Sequence, residues 1–228
     1  MSMTEHEARQ AIVEACRSMN ALGINQGTSG NVSLRFGERM LISPSAVPYE
    51  RMTAEMIASV PLEGDPEAWE GPMKPSTEWR FHLGILKGRP AENAVLHAHA
   101  TYCTALALTR RGIPACHYMI AAFGGTDVRC APYATFGTAE LAGHVLAALE
   151  GRNACLMANH GMTVCAPNME RALWLAVELE TIARQYWLSL QVGGPVILSD
   201  AEIAETQRRF AGYGVQEARP PRRVAAAG

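Results

Sequence analysis

The chain has 228 residues, 48% of them hydrophobic, 18% charged and 7% aromatic, which excludes a disordered chain, a collagen-like repeat and a coiled coil. At roughly 150 residues per domain this is one or two domains, with a core able to bury about 70% of the surface exposed on unfolding. Lys and Arg total 20 against 22 for Asp and Glu, a formal net charge of −2; with no basic surplus to grip nucleic acid or anionic lipid, any anion is held locally.

Over residues 5–22, Ala8, Ile12, Ala15, Cys16, Met19 and Leu22 recur at helical spacing, with Gly23 just past the end as a stop. Short alternating segments follow, residues 31–35 and 40–43, joined by the turn Phe36-Gly37-Glu38-Arg39, which predicts a hairpin. Pro61, Gly64, Pro66, Gly71, Pro72 and Pro75 make residues 61–75 a loop by composition. A helix is expected from Ser76 to about Lys87, a strand over 93–97, and a helix over 100–110. Apolar runs at 154–157 and 162–165 flank Asn159-His160-Gly161 as strand, turn and strand. Asn168 caps a long helix carrying Leu173, Ala176, Val177, Glu180, Ala183, Tyr186, Trp187 and Leu190 near a period of 3.6. Ser199 and Glu202 have capping-box spacing.

No repeat or low-complexity linker divides the chain. The expectation is one α/β domain over residues 1–215, a central sheet flanked by helices, and a disordered tail over 216–228. The six cysteines form no C-x-x-C pair and sit in apolar company, as small buried hydrophobes in a reducing compartment do. The polar, acidic opening lacks a signal-peptide pattern, and no run approaches ~18 apolar residues. A cytoplasmic protein with no membrane span is expected.

His97-Ala98-His99 follows the apolar run Ala94-Val95-Leu96. Residues two apart on a strand share a face, so both imidazoles can address one ion. His160 sits where an apolar strand breaks at Gly161. Three neutral imidazoles make a tetrahedral zinc site with an open position, the catalytic arrangement. Gly27-Thr28-Ser29-Gly30-Asn31 offers backbone N–H groups that can converge on an anion, and Pro75-Ser76-Thr77-Glu78 opens a helix whose N-terminus favours phosphate. Each feature also has a plainer reading: a histidine in a turn, a polar loop, an ordinary N-cap. Together they describe a site for a small phosphorylated substrate.

These motifs, with Leu41-Ile42-Ser43-Pro44-Ser45, Glu78-Trp79-Arg80-Phe81-His82, His117-Tyr118-Met119-Ile120-Ala121-Ala122 and residues 131–138, form an ordered series. Through them the chain resembles the class II aldolase/adducin family, and within it the sugar-phosphate aldolases, from about residue 8 to 214. The resemblance implies a single α/β/α domain with a mainly antiparallel sheet, assembled as a C4 homotetramer with its sites between neighbouring subunits. It implies Zn²⁺ held by His97, His99, His160 and Glu78, although imidazole and carboxylate also suit Mn²⁺ or Co²⁺. Gly30, Asn31, Ser45, Ser76 and Thr77 match phosphate-binding positions. Glu78 matches a carboxylate that leaves the metal to act as acid/base, and Tyr118 a catalytic tyrosine that reaches a neighbour's site.

The activity implied is retro-aldol cleavage of a ketose 1-phosphate to dihydroxyacetone phosphate and an aldehyde, through a zinc-stabilised enediolate. Candidate substrates are the 1-phosphates of fuculose, ribulose, 5-deoxyribulose and 5-methylthioribulose. The only lysines are Lys74 and Lys87, neither in an apolar pocket sequence, so a Schiff base is not expected. Phe136, Phe210 and Tyr213 are expected to wall the aldehyde end of the pocket. Where the family commonly has Thr/Ser-Gly, this chain has Ser45-Ala46; Thr77 replaces a serine; and Ala98 and Ala158-Asn159 are smaller than the residues of close relatives. A sugar-phosphate 4-epimerase or a decarboxylase of the same family shares the metal site and is the alternative. A non-enzymatic, adducin-like interaction domain predicts loss of metal ligands that are all present here.

Overall fold

In the computed structural model, which describes residues 3–210, the first helix α1 (Glu5–Ala21) opens on a capping box. The Thr4 side chain accepts from the Glu7 N–H, and the Glu7 carboxylate accepts in return from the Thr4 N–H. Gly23, at φ 72°, then takes the left-handed backbone that ends it.

Strands β1 (Asn31–Phe36) and β2 (Arg39–Ile42) form the expected hairpin. A four-residue strand β3 (Ala58–Pro61), too short to show alternation, pairs with β2. After the proline-rich loop come α2 (Trp79–Gly88), β4 (Ala94–Ala98) and α3 (Thr101–Leu108). Helix α2 starts later than its sequence implies. The Ser76 N–H donates to Ser43 O at 3.0 Å and the Thr77 N–H to Ser45 Oγ at 3.0 Å, tying both residues to the neighbouring loop.

A 3₁₀ turn (Tyr118–Phe123), β5 (Arg129–Ala131) and α4 (Ala139–Ala148) follow, all absent from the sequence reading. Gly143 and a run of alanines dilute the helical pattern of α4; its Thr138 cap accepts from the Leu141 N–H. The chain ends its described part with β6 (Ala154–Met157), β7 (Gly161–Ala166), α5 (Met169–Leu190) and α6 (Asp200–Phe210). On α5 the fully buried stripe is Ala172, Leu175, Ala176, Leu179, Ile182 and Ala183, rotated from the one the sequence predicts. Glu180 on the same helix accepts from the Tyr102 and Cys103 N–H groups and so caps α3 from outside.

The seven strands run β3-β2-β1-β4-β7-β6-β5; every pairing is antiparallel except β5 with β6. Two apolar layers cover the sheet. α1, α3 and α5 pack on Val32, Leu34, Leu96, Leu156 and Val164, with α6 against the 3₁₀ turn, while α2 and α4 pack on Met40, Ile42, Val95, Cys155 and Cys165. This is the α/β/α arrangement expected. Because side chains alternate along a strand, Ala94, Leu96 and Ala98 enter the first layer while His97 turns toward α2. None of the six cysteines is paired. Among the described residues no helix is long and apolar enough to cross a membrane.

Candidate active site

Strand β4 lies at the centre of the sheet, with His97 opposite Asn31 on β1 and Thr163 on β7. His99 follows one residue after the strand ends, and His160 occupies the turn between β6 and β7. That turn needs unusual backbone. Asn159 sits at φ 55°, a region asparagine tolerates better than most residues. Its side chain is held by Arg110, whose Nε donates to Asn159 Oδ1 at 3.1 Å. A Cβ on Gly161 would stand 2.6 Å from Ala98 O and 2.9 Å from the His99 ring, so only glycine lets the two histidine segments approach. Gly30 is required in the same way, since its Cβ would meet His97 O at 2.7 Å.

The donor nitrogens of His97, His99 and His160 lie within 4.8 Å of one another. His97 Nδ1 donates to Met162 O at 2.9 Å, which leaves its Nε2 lone pair facing the cluster. Burial holds all three rings in the neutral form: His97 is pushed down to about 3 and His160 to about 4, with His99 also lowered. The buried Glu78 reaches in from the position before α2, with Oε2 3.2 Å from His97 Nε2 and Oε1 3.3 Å from His160 Nε2. Yet His97 Nε2, His99 Nε2 and Glu78 Oε1 are buried and make no hydrogen bond. Buried acceptors aimed at one another without a proton between them are destabilising unless a cation sits among them. The donor set, three imidazoles and a carboxylate, fits a divalent ion of the zinc type.

A cleft of about 520 Å³ opens on this cluster, lined by Ser29, Gly30, Asn31, Ser45, Ala46, Ser76, Thr77, Glu78, His99, Phe136 and His160 among others. None of its lining residues is Lys or Arg, so the anion-holding groups here are neutral donors and the positive end of α2. Two loops are laced together to make it. Ser45 Oγ accepts from the Thr77 N–H and donates to Pro75 O at 3.3 Å; the Ser45 N–H donates to Lys74 O at 3.2 Å. Ala46, at φ 58°, adopts the left-handed backbone that a glycine would take without strain.

All five candidate phosphate-binding positions therefore line one cleft with Glu78, His99, His160 and Phe136. Tyr118 and Phe210 do not. Both are in a separate groove, ring centroids 6.4 Å apart, which shares no lining residue with the cleft. Tyr118 is 52% exposed there, away from the histidine cluster of its own chain. Tyr213 and the expected tail lie outside the described residues.

Two supporting residues, Asn25 and Tyr49, went unread in the sequence, and a third, His82, was read there only as part of a motif. Buried Asn25 accepts from the His99 N–H at 3.3 Å, and the Tyr49 hydroxyl donates to Gly30 O at 2.6 Å, so both brace the loop before β1. Buried His82 contacts Asn31. No spacing signal marks any of them, because their partners lie far along the chain.

Comparison with known proteins agrees with this geometry. Residues 10–187 match the family model of the class II aldolase and adducin N-terminal domain. The chain is 47% identical over 215 residues to L-fuculose phosphate aldolase of Escherichia coli K12, covering 94% of this chain and 99% of that one. It is also 47% identical over 206 residues to the 5-methylthioribulose-1-phosphate/5-deoxyribulose-1-phosphate aldolase of Rhodospirillum rubrum, covering 90% and 92%. A solved L-fuculose 1-phosphate aldolase superposes with a TM-score of 0.87 at 36% identity, covering 92% of this chain and 98% of that chain. The chain belongs to the class II aldolase and adducin family.

Proposed function

We propose that this protein is a metal-dependent aldolase that cleaves a ketose 1-phosphate to dihydroxyacetone phosphate and an aldehyde. The observation that carries the reading is the cluster of buried, unpartnered donor atoms on His97, His99 and Glu78 at the end of a cleft with neutral anion-binding groups. Aldolases acting on fuculose, methylthioribulose and deoxyribulose phosphates are among its relatives. His97, His99, His160 and Glu78 hold the ion, which we take to be Zn²⁺, with Mn²⁺ or Co²⁺ as substitutes. Bound there, it supplies Lewis acidity to the negative charge that builds on the C2 oxygen as the C3–C4 bond breaks.

The chain's own residues do the rest. Gly30, Asn31, Ser45, Ser76 and Thr77 hold the phosphate in the cleft and fix C1 to C3 against Glu78. The partner subunit's Tyr118 takes the C4 hydroxyl proton, so that C4 leaves as the aldehyde carbonyl and the bonding pair stays on C3. Glu78, once it has left the ion and taken a proton from solvent, delivers that proton to C3, while the partner subunit's Tyr118 passes a proton on to solvent, so that none is gained or lost overall. General acid–base contributions of this kind are each worth about 10²–10⁴ in rate. Phe136 forms an apolar wall that suits a short or deoxygenated aldehyde better than a highly hydroxylated one.

The separate placement of Tyr118 and Phe210 supports a C4 homotetramer with sites between subunits, Phe210 walling a neighbour's pocket. A cytoplasmic location and a catalytic unit over residues 1–215 complete the reading. The test is release of dihydroxyacetone phosphate from the 1-phosphates of fuculose, ribulose, 5-deoxyribulose and 5-methylthioribulose, with and without chelator. Chelator-sensitive release is expected, and the substrate ranking identifies the aldehyde half. Interconversion of sugar phosphates without free aldehyde would replace this reading with an epimerase.

A further inference from the structure

His82 lies one helical turn after Glu78, fully buried, its ring stacked on Phe81 with centroids 4.6 Å apart. Its Nδ1 is 2.8 Å from Ser33 Oγ and its Nε2 is 2.5 Å from Asn31 Oδ1. Asn31 in turn donates from Nδ2 to Glu78 Oε2 at 3.0 Å. All these contacts are buried, so water cannot substitute for a missing partner.

Only one arrangement of protons satisfies this chain. The Glu78 carboxylate accepts and cannot donate, so the Asn31 amide must turn its N–H toward it. The Asn31 oxygen, also an acceptor only, then faces His82 and requires a proton on Nε2. That leaves Nδ1 bare, and the Ser33 hydroxyl, free to rotate, donates to it. Flipping the amide would set oxygen against carboxylate on one side and N–H against N–H on the other.

We propose that His82 is a positioning residue: as the Nε2–H tautomer it holds the Asn31 oxygen and so keeps the Asn31 amide donors turned to Glu78 and the cleft. The effect on catalysis rests on the reading of Glu78 and Asn31 given above. His82 touches neither the metal donors' lone pairs nor the cleft, since it is not among the residues that line it. It acts by deciding which end of a neighbouring amide faces the carboxylate.

Two measurements test this. In the metal-loaded enzyme, His82→Phe keeps a planar, though larger, ring and removes both nitrogens, while His82→Gln keeps a donor for Asn31. His82→Phe is expected to lower kcat by about 10-fold, the lower end of the range for direct partners of a metal ligand because it acts through Asn31, with bound metal unchanged. His82→Gln restores most of that loss. In an Asn31→Ala background His82→Phe adds little, because its route to Glu78 is already gone. Losses that multiply in that background, or equal kcat in all three proteins, overturn the proposal.

Should His82→Phe fail to fold, the Gln variant and the second measurement carry the test. Long-range ¹H–¹⁵N correlation of the wild-type protein reports which ring nitrogen is protonated. A proton on Nε2 supports the proposal and a proton on Nδ1 overturns it. A protein that shows the Nε2–H ring yet releases no dihydroxyacetone phosphate from any ketose 1-phosphate removes the proposed function and leaves the tautomer assignment standing.

Discussion

Acidification of the metal-free protein is expected to unfold it in a window set by histidine rather than carboxylate chemistry. His82 and His97 are fully buried, and the His160 side chain is 13% exposed. Burial holds His82 well below the ordinary imidazole value, His97 at about 3 and His160 at about 4. In the unfolded chain the same rings titrate near about 6.5. Below that value the unfolded chain takes up protons that the native rings refuse, so stability falls with falling pH and is fully restored once the rings are neutral in both states. At about pH 5 a ring lowered to about 4 or below removes about 2 kcal/mol, from roughly 1.4 kcal/mol per unit over roughly 1.5 units.

His97 and His160 together remove about 4 kcal/mol at that pH, and His82, lowered by burial as well, adds to the loss, against a total stability of about 5–15 kcal/mol for a domain. Urea unfolding of chelator-treated protein, followed by circular dichroism from about pH 8 down to about pH 5, measures it; ordinary carboxylates titrate mostly below that range. The unfolding midpoint should be level above about pH 7 and fall steeply below about pH 6. A midpoint unchanged across the whole range would mean that the rings take up protons equally in the native and unfolded states, and would refute the neutral-cluster reasoning. In the metal-loaded protein the fall should be steeper still, because protons then also displace the ion.

Two substitutions test how the backbone shapes the site. Ala46→Val puts a β-branched residue into the left-handed conformation at φ 58° and should lower stability by about 1–3 kcal/mol. Ala46→Gly should instead be neutral to about 1 kcal/mol stabilising, relief of strain being offset by the freedom glycine gains when unfolded. Thermal unfolding separates the two, and equal effects would argue that the left-handed backbone is not required. Gly161→Ala places a Cβ 2.6 Å from Ala98 O and 2.9 Å from His99, and should weaken metal binding by about 10–100-fold. Titration of the chelated protein with Zn²⁺ measures this; wild-type affinity in the variant would show that the turn can shift without moving His99.

The local signals in this sequence were strong where one element could be recognised from its own residues. The hairpin over 31–42, the capping box at Ser199 and the long helix after Asn168 all form as their spacing implies, because turn chemistry and capping act between neighbours. The pair His97 and His99 was legible as a ligand motif, since strand alternation alone places two such rings on one side. Short elements were not: β3, β5 and α4 carry too few periodic residues and form because the sheet and α2 are already there to pack on.

What only the tertiary structure decided is which distant residues face one another. Antiparallel pairing of β1 with β4 and β4 with β7 sets Asn31, His97 and Thr163 in one row, and the turn at Asn159 swings His160 onto the same point. The same packing places Glu78 in the cluster, sends His82 to Asn31 and leaves Tyr118 outside. A linear sequence specifies each side chain's chemistry and its local backbone preference. The contacts that orient an amide or align a lone pair are made across tens of residues, and they exist only once the sheet has chosen its register.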